Sequence, residues 1–253
     1  MDFRRIHEQK IQSLDLETPE KSPLDLAREL LGEENVFTLD DAETYFKLTP
    51  TREDRKKLST IPFSEQELKE CRDTHILTAI LPISILDLNT KLTTLAEEGT
   101  PSIPKDTKFL YKIDWYKDEP FTKDPGVAEW ALIRKTPVPH SIDTTWADQQ
   151  KLLTEYEETP SARVMIYSLF SHFLTTGERL FPNLYVRTKD LTARRNRVSV
   201  GDFDARGLDV YAWTDDDRDP DIGLSSARKS RGGKRLEVEK MPSIPPLPIV
   251  RNF

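Results

Sequence analysis

An α+β fold is what this sequence predicts, and three features carry the prediction. Residues 159–177, TPSARVMIYSLFSHFLTTG, form a long apolar segment that opens on a proline and closes on a glycine, the asymmetry of a helix. Further on, Leu184 and Val186, Val198 and Val200, then Leu208 and Val210 place apolar residues at every second position. That is the period of strands with one face on a core. Upstream, capping patterns recur ahead of short amphipathic stretches. The expected architecture is a helical N-terminal segment followed by a domain of short antiparallel strands around a buried helix.

In order along the chain, residues 1–20 are charged, with no apolar stretch behind Arg4 and Arg5. They read as a loose start, neither signal peptide nor anchor. Ser22 can cap a helix through SPLDLARELLG, with Pro23 in its first turn, Asp25 at the positive end of its dipole and Gly32 as its stop. Leu24, Leu30 and Leu31 give that helix an apolar stripe. Thr38 with Asp41 predicts a second helix to Phe46. The polar stretch Thr49–Thr60 reads as a linker, dividing residues 1–60 from a domain over 61–229. Ser64 and Glu67 form a capping-box pattern that predicts a helix to Arg72. Thr74–Leu81 is apolar enough for a buried strand, and Ile85, Leu88, Leu92 and Leu95 have helical spacing.

Lys108–Ile113 and Glu129–Arg134 are predicted strands on either side of a loop, and Thr144–Tyr156 a helix. The helix from Pro160 to Gly177 is apolar around most of its circumference, as a central buried helix would be. Gly201 and Gly207 bracket a chain reversal at Asp202–Arg206. Residues 230–253 turn basic and then proline-rich, and read as an extended or disordered tail.

The net charge of −7 argues against a nucleic-acid or anionic-membrane binder. One cysteine allows no internal disulfide and suits a reducing compartment. The most apolar run, Ile76–Leu88, is too short to span a bilayer and contains Pro82 and Asp87. A soluble, cytoplasmic protein is therefore expected. P-loop, G-x-G-x-x-G, H-E-x-x-H, G-x-S-x-G and paired C-x-x-C signatures are all missing from the sequence, which favours a binding module over an enzyme.

The pattern V-G-D-F-D-x-x-G-L-x-V at Val200–Val210, with Trp213, Arg218 and the closing D-I-G-L-S-S-A-R of Asp221–Arg228, is similar to the last strands of C-type-lectin-like folds. It most resembles the branch shared by formylglycine-generating-enzyme-like domains and the variable proteins diversified by bacterial retroelements. From about Ile61 onward the chain resembles bacterial proteins with the same ending. The resemblance implies a C-type-lectin-like domain that displays a loop surface. Formylglycine-generating activity needs a cysteine pair and is not implied, because Cys71 stands alone. Glu119-Pro120-Phe121 and Trp213-Thr214-Asp215 each depart from the sugar-binding tripeptides of calcium-dependent lectins.

On this reading Tyr185, Arg187, Asp202, Asp204, Arg206, Asp209, Tyr211, Trp213 and Arg218 form the ligand-binding surface. Aromatic and arginine side chains provide rigid contact area and aspartates provide specificity. Trp213 and Arg218 have an alternative role as internal struts. Asp215, Asp217, Asp219 and Asp221 alternate along one loop and could offer oxygens to Ca²⁺. Pro220 and Ser226 occupy the positions an EF-hand gives to glycine and glutamate, so an acidic loop paired with Arg218 and Arg206 is the plainer reading. Cys71 and His75 read as structural, and His172 as a core histidine. Arg194, Arg195 and Arg197, with Lys229, Arg231, Lys234 and Arg235, read as solvated basic clusters rather than a phosphate site.

The expected partner is a protein or carbohydrate, with no metal-dependent or organic cofactor beyond the Ca²⁺ option. Two other readings stay open. One is an enzyme using loop carboxylates with His172 or His140; the other is an interaction protein acting through the helices of residues 22–46.

Overall fold

The N-terminal helices begin where short polar side chains can take over free backbone N–H groups. In the computed structural model, which describes residues 21–105, 107–231 and 236–237, Ser22, Thr38, Thr51 and Ser64 each accept the N–H three residues on. They open α1 (Pro23–Leu31), α2 (Leu39–Tyr45), α3 (Arg52–Leu58) and α4 (Glu65–Glu70). The last three are full capping boxes, with an acidic side chain returning to the cap N–H. Residues 1–20 and most of the basic and proline-rich tail lie outside the described residues.

α3 occupies the stretch that composition suggested was a linker. Thr51 and Asp54 supply its capping box, Leu58 is buried, and the Leu58 carbonyl accepts a 3.0 Å bond from Trp130 Nε1. The chain thus stays packed on both sides of residue 60, where Leu58 and Ile61 are both buried.

The first sheet has the order β1 (Val36–Phe37), β3 (His75–Ile80), β5 (Glu129–Arg134), β11 (Ala227–Arg228) and β6 (Glu157–Glu158). The second runs β10 (Ile222–Leu224), β7 (Tyr185–Leu191), β8 (Arg197–Asp204), β9 (Gly207–Trp213) and β4 (Leu110–Tyr111). A two-residue ladder joins β2 (Thr60–Ile61) to β12 (Leu236–Glu237).

The three strands with alternating apolar residues, β7, β8 and β9, are antiparallel neighbours, as their sequence predicts. The sheets as wholes are mixed. β1 runs parallel to β3, β10 to β7, and β4 to β9. Each of these parallel strands joins a sheet edge after a long excursion of the chain, which frees it from hairpin geometry.

α5 (Ile85–Glu97) and α6 (Trp146–Gln150) complete the outer helices, and α7 (Ala162–Thr176) lies between the sheets, buried continuously from Ala162 to Leu174. α6 is shorter than the expected Thr144–Tyr156, since the chain turns again where Glu157 Oε2 accepts from both Thr154 N–H and Thr154 Oγ1. β4 is likewise cut short by Lys112, whose left-handed φ of 49° ends the extended run.

One apolar core joins these layers. Tyr167 of α7 meets Phe46 edge-on at 4.9 Å, and Phe170 meets Phe109 at 5.2 Å. On the second sheet Phe203 packs against Phe170 and Phe173. The α+β class is therefore as predicted, with the N-terminal helices burying Ala27, Leu31, Ala42 and Leu58 in the same core. Among the described residues, no helix is long and apolar enough to cross a membrane.

Candidate functional site on the outer face of the second sheet

The two-residue period divides the second sheet cleanly. Val186, Val198, Val200, Leu208 and Val210 point into the core and are fully buried. Their neighbours Tyr185, Arg187, Arg197, Ser199, Asp209, Tyr211 and Trp213 therefore occupy the opposite face. Register aligns them in rows across the strands: Tyr185, Gly201, Asp209; then Arg187, Ser199, Tyr211; then Leu191, Arg197, Trp213. Gly201 lets the strands meet there, because a Cβ on it would lie 1.9 Å from the Leu184 carbonyl oxygen.

Part of this face, on β7 and β8, is covered. Arg187 is completely buried under the segment that carries α6. Its Nη1 donates to Thr144 O at 2.9 Å and Gln149 Oε1 at 3.1 Å, and its Nη2 to Asp217 O at 2.7 Å and Thr214 O at 3.3 Å. Burial lowers its pKa while the fields of Asp215 and Asp217 oppose that shift. Arg187 was expected to bind ligand; the structure instead places it as an internal strut, with Nη1 and Nη2 taken up by the chain's own carbonyls and Nε buried without a partner. Beside it, Arg197 grips both carboxylate oxygens of Asp215 at 2.9 and 3.0 Å and stacks 3.9 Å above the Trp146 ring.

The aspartate loop is tied up in the same way. Asp215 serves Arg197, Asp217 Oδ2 accepts from Thr214 N–H, and Asp219 Oδ1 accepts from Asp221 N–H. Among the described residues, no group of three or more His, Cys, Asp or Glu is arranged to hold a metal ion. The four carboxylates proposed for Ca²⁺ are thus not brought together.

The hairpin tip is also self-paired. Asp202 φ is +44°, and Arg206 reaches Asp202 Oδ2 at 2.9 Å and Asp204 Oδ2 at 2.8 Å. Arg218 is exposed and 4.0 Å from Asp148, so it is no buried strut.

The part of the face carried by β9 and Tyr185 is open and aromatic. Tyr211 and Trp213 have ring centroids 4.5 Å apart, Tyr185 lies 5.0 Å from Trp213, and Trp115 lies 6.2 Å from Tyr211. Trp115 was missed in the sequence, where it sits in a loop. It is anchored by a 3.1 Å bond from Nε1 to Val210 O, yet 40% of it is exposed, as is 48% of Tyr211. Tyr185 and Trp213 are half-buried.

Asp209 lies on the same face and is only 6% exposed. Its Oδ2 accepts from Tyr185 OH at 2.9 Å while Oδ1 has no hydrogen-bond partner. Burial holds the Asp209 carboxyl above its ordinary pKa, and burial together with Asp209 pushes the Tyr185 hydroxyl well up.

Next to Trp115 and Tyr211 opens a cleft of about 450 Å³, completed by Glu119, Thr192, Arg194, Asn196 and Ala212. Glu119 Oε2 accepts from Ala193 N–H, which fixes the β7–β8 turn against the segment carrying Trp115. Arg194 belongs to a cluster read from sequence as solvated, and here it lines the cleft.

The remaining polar residues lie elsewhere. His172 sits in α7 with Nε2 2.8 Å from Glu178, grouped with Asn35, Phe37 and Thr78 near the first sheet rather than with the β7–β9 loops. His140 is exposed. Cys71 is buried, and burial pushes its thiol up to about 11, which makes it a poor nucleophile. His75, also buried, is lowered to about 4, first by burial and then by Arg134 and Arg228.

Compared with known proteins, the chain matches no family model, no curated protein and no solved structure.

Proposed function

We propose that this protein is a non-catalytic binding module that presents the polar and aromatic surface of residues 185–218, extended by Trp115, to a protein or carbohydrate target. The observation that carries this reading is the run of Tyr185, Trp213, Tyr211 and Trp115 along one sheet face, exposed at Tyr211 and Trp115 and bordered by the cleft. Large aromatic side chains held on a rigid sheet lose little conformational entropy when a partner covers them, which is why such residues dominate binding energy. Arg187, expected in this surface, has a structural duty inside the fold, and Asp215, a Ca²⁺ candidate, serves Arg197.

The similarity of the closing D-I-G-L-S-S-A-R segment to C-type-lectin-like domains supports the same reading.

The test is to probe glycan and peptide arrays with the wild-type chain and with Tyr211→Ala/Trp213→Ala. Array ligands bound by the wild type and lost by a variant of unchanged melting temperature would bear the reading out. Ligands retained by the variant would place binding on another surface.

A further inference from the structure

The aromatic face is not electrostatically neutral. Aromatic rings present a negative face, and cations lie over them favourably, more so when the site is partly desolvated. Here a carboxylate on the same face adds to that field. Asp209 Oδ2 is held by Tyr185 OH, its Oδ1 is unpartnered, and the residue is more than nine-tenths buried.

Among the described residues, no lysine or arginine forms an ion pair with Asp209, although the Lys112 charge is near enough to favour its ionised form. Lys112 lies 4.8 Å above the Tyr111 ring. Arg206 is bound by Asp202 and Asp204, and Arg197, opposite Trp213 in the register, is matched by Asp215. A buried carboxylate in low dielectric is costly without a counter-charge, and an incoming cation would lower that cost.

Resting on the binding-module reading, we propose that this face receives a lysine or arginine side chain from a basic segment of a partner protein. The cation lies over Tyr211, Trp213 and Tyr185, with the Asp209 charge beneath them. Arg194 and Glu119 both line the adjoining cleft and offset one another there, while Asp209, bonded to Tyr185, draws the cation to the Tyr185 and Trp213 side of Tyr211. The chain's net charge of −7 matches a basic partner.

The probe is a capped Gly-Gly-Lys-Gly-Gly peptide, with its ε-trimethyl and ε-acetyl forms, titrated while the Trp115 and Trp213 indole N–H resonances are followed. Saturable shifts are expected from the lysine and trimethyllysine peptides, with acetyllysine at least about tenfold weaker. Asp209→Asn keeps an acceptor for Tyr185 and should weaken the charged peptides several-fold without lowering the melting temperature. Tyr211→Ala should abolish their binding.

Equal affinity for acetyllysine, an unaffected Asp209→Asn variant, or no shift with any peptide would each overturn the proposal. Array ligands that need Tyr211 and Trp213, in a protein that ignores these peptides, would sink the cation site and leave the binding surface standing. A glycan among such ligands would identify the occupant as a sugar. Array ligands indifferent to both residues would remove the surface itself.

Discussion

Residues that share rows of the second sheet's outer face stand in two different states, Arg187 across from Tyr211 and Arg197 across from Trp213. On β7 and β8, Arg187 and Arg197 are locked under the segment that carries α6, Arg187 through Nη1 and Nη2 on carbonyls and Arg197 on Asp215. Beside them Tyr185, Tyr211 and Trp213 have no such cover, and Tyr211 is half exposed. The contrast shows that residue type is a poor guide to availability. Arg187 and Asp215, which look like ligand-binding groups in the sequence, hold the loops in place, while Tyr211 and Trp115 stay exposed.

The contrast can be broken most forcefully at Arg187. Arg187→Leu leaves the carbonyls of Thr144, Thr214 and Asp217 without their donor, and should cost about 3–5 kcal/mol in denaturant unfolding. A cost near zero would mean that the covered part is not structural.

Comparing the two parts across pH first requires removing a background from His75. Its folded pKa, about 4, lies below the unfolded value, so the unfolded chain binds the extra proton between roughly pH 6.5 and 4. Its stabilising contribution is present above pH 6.5 and is lost as pH falls through that window, by up to about 3 kcal/mol. His75→Gln should flatten that part of the pH–stability curve.

Asp209 has the opposite sign. Its folded pKa is raised, so its contribution is favourable only in acid and is lost as pH rises through the folded value. Asp209→Asn should therefore melt no lower than wild type at pH 7, with any gain vanishing near pH 3. Such a gain would show that the carboxylate is kept at a cost in stability, as groups serving function often are. Tyr211→Ala is the smallest expected change, within about 0.5 kcal/mol, because half of the side chain is already in water.

What the sequence makes legible here follows from the range of the interactions involved. Ser22, Thr38 and Ser64 caps act over three residues, and the alternation of Val198, Val200, Leu208 and Val210 acts over two, so helices and strands could be read locally. Thr51–Asp54 is an equally local signal, but the charge of TREDRKK suggested solvent exposure.

The burial of Arg187 depends on Thr144 and Gln149, about forty residues away, and no periodicity encodes that cover. Trp115 joined the surface through the Val210 carbonyl, a contact between residues 95 apart. Lys108–Ile113 reads as a strand, but the parallel pairing of β4 with β9 and of β10 with β7 is hidden for the same reason, since neither pair is joined by a hairpin.

The most direct test of the account measures binding and stability on one pair of proteins. Wild type and Tyr211→Ala/Trp213→Ala are titrated with the tightest array ligand while their melting temperatures are recorded. The account predicts melting temperatures within a few degrees and affinity reduced at least about thirtyfold, the scale of losing a binding hot spot. Unchanged affinity in a folded double variant would contradict it.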